Sequence, residues 1–394
     1  MKFAVPRLQT SSPGLPPRRY LDHAATSWPK PPEVVAAWQR AALEIGATAG
    51  RGLYAASLEA TAIREQGRAV AARLLGGVDS ERVALPVGCT LALNMAIHGL
   101  VRPGEHVIAS AADHNATLRP LYWLAERGQI ELSIVPCDAV GRVDPASIVA
   151  AWRPATRLTV ISHVSNVTGV AQDVAAIAKV VHTRGGLLVL DAAQSFGVVP
   201  CDTPAWGADV VAAPAHKWLQ GMAGVAVLWA RPGVDLEPVV QGGTGTASES
   251  LAMPAAFAAR LEAGSPDVPA LAAFVAASQW LADRGLAVTA AAARRLADEL
   301  AGRLGEMRGV RVIDGPRAAA IVSFVVEGYD PAEVAAILEQ AAGVEVRSGF
   351  HCAACIHEPL GTRAGGTVRA AFGPGNEMAD VETVAATVAT LQTG

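Results

Sequence analysis

The sequence LLVLDAAQS (187–195), followed by DVVAAPAHKW (209–218), gives the strongest indication of architecture. Each segment contains a short apolar run typical of a buried strand, and these runs lead to Asp191 and to Lys217. Because the carboxyl ends of parallel strands lie at one edge of a sheet, where open α/β folds bind ligands, we expect both side chains at one site. Taken singly, each has an ordinary structural explanation, since aspartates often cap helices and His-Lys is common on surfaces.

Similar apolar runs alternate with helical patterns around this segment. Strands are predicted at 106–110, 158–163, 187–190, 209–212 and 224–229, and helices at 57–75, 90–100, 118–127 and 174–184. This alternation predicts an α/β domain whose mainly parallel sheet is covered by helices on both faces.

The pattern changes after residue 266. Two alanine-rich helices are predicted at 268–284 and 287–304, followed by strands at 310–313, 321–326, 344–347 and 367–372 and helices at 331–342 and 379–391. We therefore predict an N-terminal arm (1–19), a large domain (20–266) and a smaller α+β domain (267–394).

Composition excludes several classes of protein. The 32 basic and 36 acidic residues are interspersed and give a net charge of −4, which is atypical of nucleic-acid binding. No apolar run approaches the roughly 20 residues that span a bilayer, and the start of the chain lacks the apolar region of a secretory signal. Five cysteines are too few and odd in number for a disulfide framework, so a reducing cytoplasm is expected. The single CxxC spacing predicts no metal site.

The two decisive residues also suggest a chemistry. Desolvation lowers the pKa of a lysine, and the neutral amine of Lys217 can then form a Schiff base with an aldehyde cofactor. Asp191 can keep a pyridine nitrogen protonated, so that the ring withdraws electrons. Before the helix at 90–100, Gly88-Cys89-Thr90 offers backbone N–H groups and a hydroxyl to a phosphate, with Thr90 the strongest ligand.

These segments belong to a collinear series of motifs: YLDHAATSWPKP (20–31), GRGLYAASLEA (50–60), GCTLALN (88–94), DHNATLRPL (113–121), SNVTG (165–169), DAAQ (191–194), AHKW (215–218), QGGTGTASES (241–250), EAGSP (262–266), RSGFHCA (347–353) and TVRAAF (367–372). The series resembles the class V aminotransferase superfamily of fold-type I pyridoxal-phosphate (PLP) enzymes. Within it, the chain resembles the cysteine desulfurases, specifically the SUF-type and a related desulfurase-like group.

The resemblance implies a role for each cofactor-binding residue. Lys217 would bind PLP covalently, Asp191 would pair with the pyridine nitrogen, Gln194 and Asn166 would lie at the phenolic oxygen, His114 would stack on the ring, and Cys89, Thr90 and His216 would line the phosphate end. His114 alternatively caps a helix beside Asp113. Thr244 lies in a loop (244–246) that in the family reaches a neighbouring subunit, which implies a homodimer; the alternative is a flexible glycine-rich turn.

The resemblance also implies a substrate site and a nucleophile. Arg347 would bind the substrate carboxylate, with a surface ion pair as the alternative, and Asn166 would lie near the same carboxylate. Arg369 would either bind substrate or brace the loop. Cys352 would receive the sulfur, whereas the role of the adjacent His351 is open. The CxxC spacing of Cys352 and Cys355 could allow a redox disulfide or a sulfur relay between them, or it is a coincidence.

Two departures from the family pattern are Pro214, where a serine or threonine is common, and His23, where asparagine is usual. Pro214 removes a hydroxyl donor from the phosphate end, so phosphate binding would depend more on Thr90, His216 and the partner loop.

The predicted function is therefore PLP-dependent conversion of L-cysteine to L-alanine, with sulfur passing to Cys352 as a persulfide and then to an acceptor protein or thiol, for example in iron–sulfur cluster assembly. Selenocysteine lyase, cysteine sulfinate desulfinase, aminotransferase and epimerase activities are alternatives on the same fold. A PLP-binding protein without catalysis is the alternative of another class. Only sulfur transfer requires Cys352. The presence of this cysteine therefore argues against the aminotransferase and epimerase alternatives.

Overall fold

The computed structural model describes residues 16–392 and forms two principal sheets. Its strands, in chain order, are β1 (Arg19–Tyr20), β2 (Val83–Ala84), β3 (His106–Ser110), β4 (Glu131–Val135), β5 (Thr156–Ser162), β6 (Leu187–Asp191), β7 (Val210–Pro214), β8 (Ala226–Ala230), β9 (Val310–Ile313), β10 (Ile321–Val326), β11 (Val344–Glu345), β12 (Arg347–Gly349) and β13 (Thr367–Ala371).

The helices include every helix predicted from the sequence, with bounds that shift by a few residues at most. They are α1 (Pro32–Arg40), α2 (Ala55–Leu74), α3 (Cys89–Leu100), α4 (Asn115–Glu126), α5 (Pro145–Ala151), α6 (Val174–Thr183), α7 (Thr203–Trp206), α8 (Phe257–Leu261), α9 (Val268–Arg284), α10 (Leu286–Gly305), α11 (Pro331–Ala342) and α12 (Met378–Thr390). Within residues 16–392, none of them is long and apolar enough to cross a membrane.

The large sheet has the strand order β2-β8-β7-β6-β5-β3-β4. Five neighbouring strands, β7, β6, β5, β3 and β4, pair in parallel with one another. The strand β8 pairs antiparallel with both β7 and β2. Leu188 and Leu190 on β6 pack into one hydrophobic core, whereas Leu187 and Val189 pack into another. Because alternate side chains of a strand point to opposite faces, the sheet is buried on both faces, and the predicted α/β fold is confirmed.

The second sheet is antiparallel, with the order β12-β13-β10-β9, and α10, α11 and α12 pack against it. The strand predicted at 344–347 is divided in the structure, because β11 pairs in parallel with β1 while β12 pairs with β13. Leu21 and Val344 contribute to the core of this part of the chain. The segment next to the N-terminus therefore joins the C-terminal elements.

Helix α9 packs against α1 and α2, and its Phe274 lies in the core beneath the large sheet. The next helix, α10, packs instead on β9 and β10. The division of the chain at residue 266 stays a prediction, as does the arm at 1–19, most of which lies outside the described residues.

Candidate active site

Asp191 and Lys217 reach the same cavity because β6 and β7 are parallel neighbours, with Asp191 opposite Ala212. Asp191 ends β6, and Lys217 follows the end of β7 at Pro214 by three residues. The cavity has a volume of ≈ 330 Å³, and we call it the inner cavity. It brings together most of the residues predicted from the sequence: Cys89, Thr90, His114, Asn166, Asp191, Gln194, His216, Lys217, Arg347 and Arg369.

Lys217 lies in a setting that favours its neutral amine. Burial lowers the pKa of Lys217, the carboxylate of Asp191 opposes that change, and the positive charges of Arg369 and Arg347 reinforce it. A neutral amine is the form that attacks an aldehyde. The structure therefore supports the prediction that this lysine can form a Schiff base.

Asp191 is a buried carboxylate held at one oxygen. Its Oδ1 accepts the N–H of Ala193 at 2.9 Å, and the Cys89 thiol lies 4.0 Å from the same oxygen. Burial raises the pKa of Asp191, while the Ala193 N–H and the charge of Lys217 lower it. Burial also raises the pKa of Cys89 well above its usual value, so this thiol stays neutral beside the carboxylate.

The carboxamide of Gln194 has a fixed orientation. Its Oε1 accepts the indole N–H of Trp218 at 2.7 Å, and its Nε2 donates to the carbonyl of Ala24 at 3.0 Å. The indole can only donate, which assigns the oxygen and nitrogen of the amide. One N–H of Gln194 remains for an acceptor in the inner cavity.

His114 caps α4 and also lines the inner cavity, where stacking on the cofactor ring stays a prediction. Its Nδ1 accepts the N–H of Ala116 at 3.0 Å, so the ring caps α4, and it also lines the inner cavity. Burial, with the charges of Lys217 and Arg347, lowers the pKa of His114 to about 4. The ring is therefore neutral at pH 7 and carries its proton on Nε2, which suits stacking on another ring.

Helix α3 begins at the inner cavity without a side-chain cap. Its N-cap is Gly88, and a Cβ there would meet nothing within 4 Å. The first N–H groups of a helix lack intrahelical partners and favour an anion, so this end of the cavity suits a phosphate, with the exposed Thr90 beside it. Pro214 also lines the cavity and offers no donor, as expected.

Lys30, which the sequence reasoning did not select, anchors the segment that carries Lys217. Its Nζ donates to Ser27 Oγ at 2.6 Å and to the carbonyl of His216 at 2.9 Å. The Nδ1 of His216 lies 3.1 Å from Thr26 Oγ1. Burial lowers the pKa of Lys30 to about 8 and that of His216 to about 4. The first motif of the series therefore holds the backbone immediately before Lys217.

We expect Lys30→Met to raise the dissociation constant for PLP about three- to tenfold, because its hydrogen bond to the carbonyl of His216, worth about 1 kcal/mol, is lost together with its bond to Ser27. Titration of the cofactor-free protein with PLP, followed by quenching of tryptophan fluorescence, measures the effect. The exposed Lys179→Met is the matched control and should leave the constant unchanged. Equal constants for the two variants would contradict a positioning role for Lys30.

Arg369 braces the site, one of the two roles predicted for it. The side chain is 1% exposed, donates from Nη2 to Asp22 Oδ1 at 2.6 Å and donates from Nη1 to the carbonyl of Asn166 at 2.9 Å. Asn166 in turn donates from Nδ2 to the carbonyl of His351 at 2.7 Å. The arginine thereby connects the N-terminal motif, the loop after β5 and the loop of Cys352, and it also lines the inner cavity.

Cys352 lies beside the inner cavity, on an adjoining outer groove of ≈ 480 Å³. This outer groove is lined by Thr90, Asn94, His98, His114, Asn115, Ala116, Arg119, Pro120, Trp123 and Cys352. Arg347 lines the inner cavity, and its Nη2 donates to Cys352 Sγ at 3.0 Å. The arginine therefore links the lysine pocket to the thiol.

His351 lines neither the inner cavity nor the outer groove. It is 2% exposed, and its Nε2 donates to the backbone oxygen of Thr367 at 3.0 Å and to Oγ1 of the same residue at 2.8 Å. Burial lowers the pKa of His351 well below its usual value. It is a neutral support of the loop on β13.

Three other predicted residues lie apart from the inner cavity. The Thr244 hydroxyl pairs with the backbone oxygen of Thr246 at 3.1 Å, so its proposed contact with a partner subunit's cofactor stays a prediction. Cys355 lies half-buried in the turn Ala354–His357 as a free thiol. His23 is 1% exposed and packs against Tyr20, with ring centroids 5.2 Å apart.

The residues of the inner cavity fit PLP. Lys217 can take the aldehyde, Asp191 can meet the pyridine nitrogen, and the start of α3 can take the phosphate. The hydroxyl of Ser162 lines the same cavity and has no hydrogen-bond partner among the described residues, as expected where a polar ligand belongs. The fold and this cavity define the class of enzymes that hold PLP on a lysine at the edge of an α/β sheet.

The chain belongs to the class-V aminotransferase family, whose model matches residues 19–384 and whose members depend on PLP. It is 33% identical over 377 residues to a probable cysteine desulfurase of Methanothermobacter thermautotrophicus, covering 94% of this chain and 93% of that protein. Two solved cysteine desulfurases are also similar. That of Thermococcus onnurineus has a TM-score of 0.88 and 29% identity, covering 95% of this chain and 94% of its own, and that of Escherichia coli has a TM-score of 0.84 and 28% identity, with the same coverages.

Proposed function

We propose that this protein is a PLP-dependent cysteine desulfurase that converts L-cysteine to L-alanine and takes the sulfur onto Cys352. The observation that carries the proposal is the contact of Arg347 with Cys352 Sγ at the boundary of the lysine pocket. A thiol beside a Schiff-base lysine has a chemical role only when sulfur moves. The relatives named as cysteine desulfurases support the same conclusion.

The chain's own residues provide acid–base catalysis around the substrate. When bound, PLP supplies an electron-withdrawing ring that makes the α-proton of an attached amino acid acidic. The free amine of Lys217 would be the base that removes this proton and the acid that later returns it. Asp191 keeps a proton on the ring nitrogen because a buried carboxylate stabilises a positive charge opposite it.

Sulfur transfer requires the thiolate of Cys352. It attacks the sulfur of the bound cysteine, so that an S–S bond forms and the Cβ–S bond breaks. The electron pair of the broken bond stays with Cβ, which takes up a proton as the substrate becomes alanine. The enzyme sulfur is left as a persulfide, and the substrate carbon is reduced as the transferred sulfur is oxidised, so no external oxidant is needed.

Substrate binding is proposed for Arg347, with Arg369 and Asn166 in support. Arg369 already donates to Asp22 and to the carbonyl of Asn166, whereas Arg347 has no carboxylate partner among residues 16–392. A guanidinium has five N–H donors in a fork, so Arg347 can contact a carboxylate while one N–H stays on the sulfur.

The partners and the location are also proposed. A homodimer in which the loop of Thr244 reaches the other subunit would cover Leu53 and Leu251, which are 91% and 108% exposed in the loops that precede α2 and α8. The sulfur would leave through the outer groove to an acceptor protein or thiol, as in iron–sulfur cluster assembly. All five cysteines, which lie in the described part of the chain, are free, in keeping with a cytoplasmic location.

We expect Cys352→Ala to lower the release of sulfide and alanine from L-cysteine at least about 10³-fold, because the nucleophile is lost. The assay uses PLP-loaded protein, L-cysteine and a reductant, with both products quantified. Cys201→Ala is the matched control and should keep both products equal and undiminished, since the Cys201 thiol donates to the carbonyl of Val199 and to no other group among residues 16–392.

The result would also separate the alternatives. Full activity of Cys352→Ala would contradict the proposal and favour transamination or epimerisation. PLP-loaded wild type that releases neither product would redirect the test to selenocysteine and cysteine sulfinate, and inactivity on these and on transamination would favour a non-catalytic PLP-binding protein.

A further inference from the structure

The sulfur of Cys352 already has a cationic partner in the substrate-free protein. Arg347 Nη2 donates to Sγ at 3.0 Å, across only five residues of chain. No carboxylate in the described part of the chain pairs with Arg347, so its charge is not neutralised by the protein. A guanidinium without a carboxylate, in contact with a sulfur, is the setting in which a thiolate is stabilised.

The backbone around the sulfur is held in a conformation that fixes this contact. His351 and Cys352 both have positive φ angles, of 50° and 58°, which residues other than glycine rarely adopt. Two hydrogen bonds from elsewhere hold the pair, since Asn166 Nδ2 donates to the carbonyl of His351 and the N–H of Asn115 donates to the carbonyl of Cys352 at 2.7 Å. The sulfur is therefore directed at Arg347 by contacts that do not depend on substrate.

The surrounding charges favour the same outcome. The groups packed around this loop are Arg119 and the neutral His114 of α4, Lys217 after β7, and Arg369 on β13. The carboxylate of Asp22 is paired with Arg369, and Asp191 lies against Cys89. Since Arg369 is paired with Asp22 and burial favours the neutral form of Lys217, Arg347 and Arg119 are the two cations near Cys352 that have no carboxylate partner in the described part of the chain.

We propose that Arg347 activates the nucleophile, holding Cys352 as an aimed thiolate before substrate arrives, in addition to binding the substrate carboxylate. The inference rests on the proposed desulfurase function and adds to it an assignment of how the nucleophile is prepared. The proton leaves Sγ for water in the outer groove, so the thiolate needs no neighbouring general base. His351, which bonds to Thr367, is not that base.

The test is the rate of alkylation of Cys352 by iodoacetamide in PLP-loaded protein without substrate, measured by mass spectrometry of its peptide at pH 7 and pH 9.5. Arg347→Gln is expected to slow alkylation about five- to tenfold at pH 7, and the difference should shrink toward equality at pH 9.5, where hydroxide removes the proton instead. Arg347→Lys, which keeps a charge but loses the fork, should lie between. Cys355, in the next turn, is the internal control and should react equally in all three proteins.

A variant alkylated as fast as wild type at pH 7 would overturn the inference. A slowing that is the same at both pH values, or that Cys355 shares, would also overturn it, because it would report a rearranged loop rather than a lost charge. The measurement needs no turnover, so the two proposals can fail separately. If the wild type releases neither sulfide nor alanine, the desulfurase function is refuted. If the wild type is active but its Cys352 is alkylated no faster than that of the Arg347 variants, only this inference is refuted.

Discussion

Replacing Lys217 by alanine is expected to abolish covalent retention of PLP and to lower kcat about 10⁴-fold or more, because one amine serves both attachment and proton transfer. Borohydride reduction followed by intact-protein mass measures the first effect, since only a Schiff base becomes a permanent adduct. Sulfide release at saturating PLP measures the second. Lys179→Ala, on the exposed side of α6, is the control that should retain both.

The same substitution should stabilise the cofactor-free protein. The pKa of Lys217 is lowered in the folded protein, so the folded state binds its proton less readily than the unfolded chain does. The free energy of unfolding therefore decreases as the pH falls from the lysine's unfolded pKa near 10.5 toward its lower folded pKa. Alanine does not ionise, so the variant does not lose this stability at pH 7. A PLP adduct in the variant, or a lower melting temperature at pH 7, would contradict this account.

The sequence could predict this site because its main parts lie at strand ends. Buried apolar runs end at Asp191 and precede Lys217, and β6 and β7 are consecutive parallel strands, so position along the chain translates directly into proximity. The cap of α4 by His114 was likewise predictable from local sequence, and the structure adds that the same ring lines the inner cavity.

Other parts depend on contacts that periodicity does not reveal. Lys30 reaches His216 across 186 residues, and nothing local to SWPKP indicates where its side chain points. The strand β4 was missed because it is an edge strand whose exposed Glu131 and Ile134 break the pattern of burial. The Arg347–Cys352 contact depends on two positive φ angles, which no composition rule predicts at His351 and Cys352.

We expect Asp191→Asn to lower kcat about 10²–10³-fold, because a neutral amide cannot hold the positive charge of a protonated ring nitrogen as a buried carboxylate does. PLP should still bind through Lys217, so the adduct found after borohydride reduction is retained. The measurement is sulfide and alanine release at saturating PLP and L-cysteine. A variant with full kcat would show that Asp191 is not the partner of the ring.

Asp191→Asn should also leave the cofactor-free protein at least as stable as wild type. Burial raises the pKa of Asp191, so ionisation of its carboxyl costs stability as the pH rises from the unfolded pKa near 3.8 toward the folded pKa. The matched control is Asp209, also buried beside the large sheet, which accepts the N–H of Leu188 at 2.6 Å and pairs with His182 and Arg231. Asp209→Asn should lower the melting temperature and keep kcat, the reverse of Asp191→Asn. This crossed result would show that Asp191 is retained for chemistry at the expense of stability, since a structural carboxylate would behave as Asp209 does.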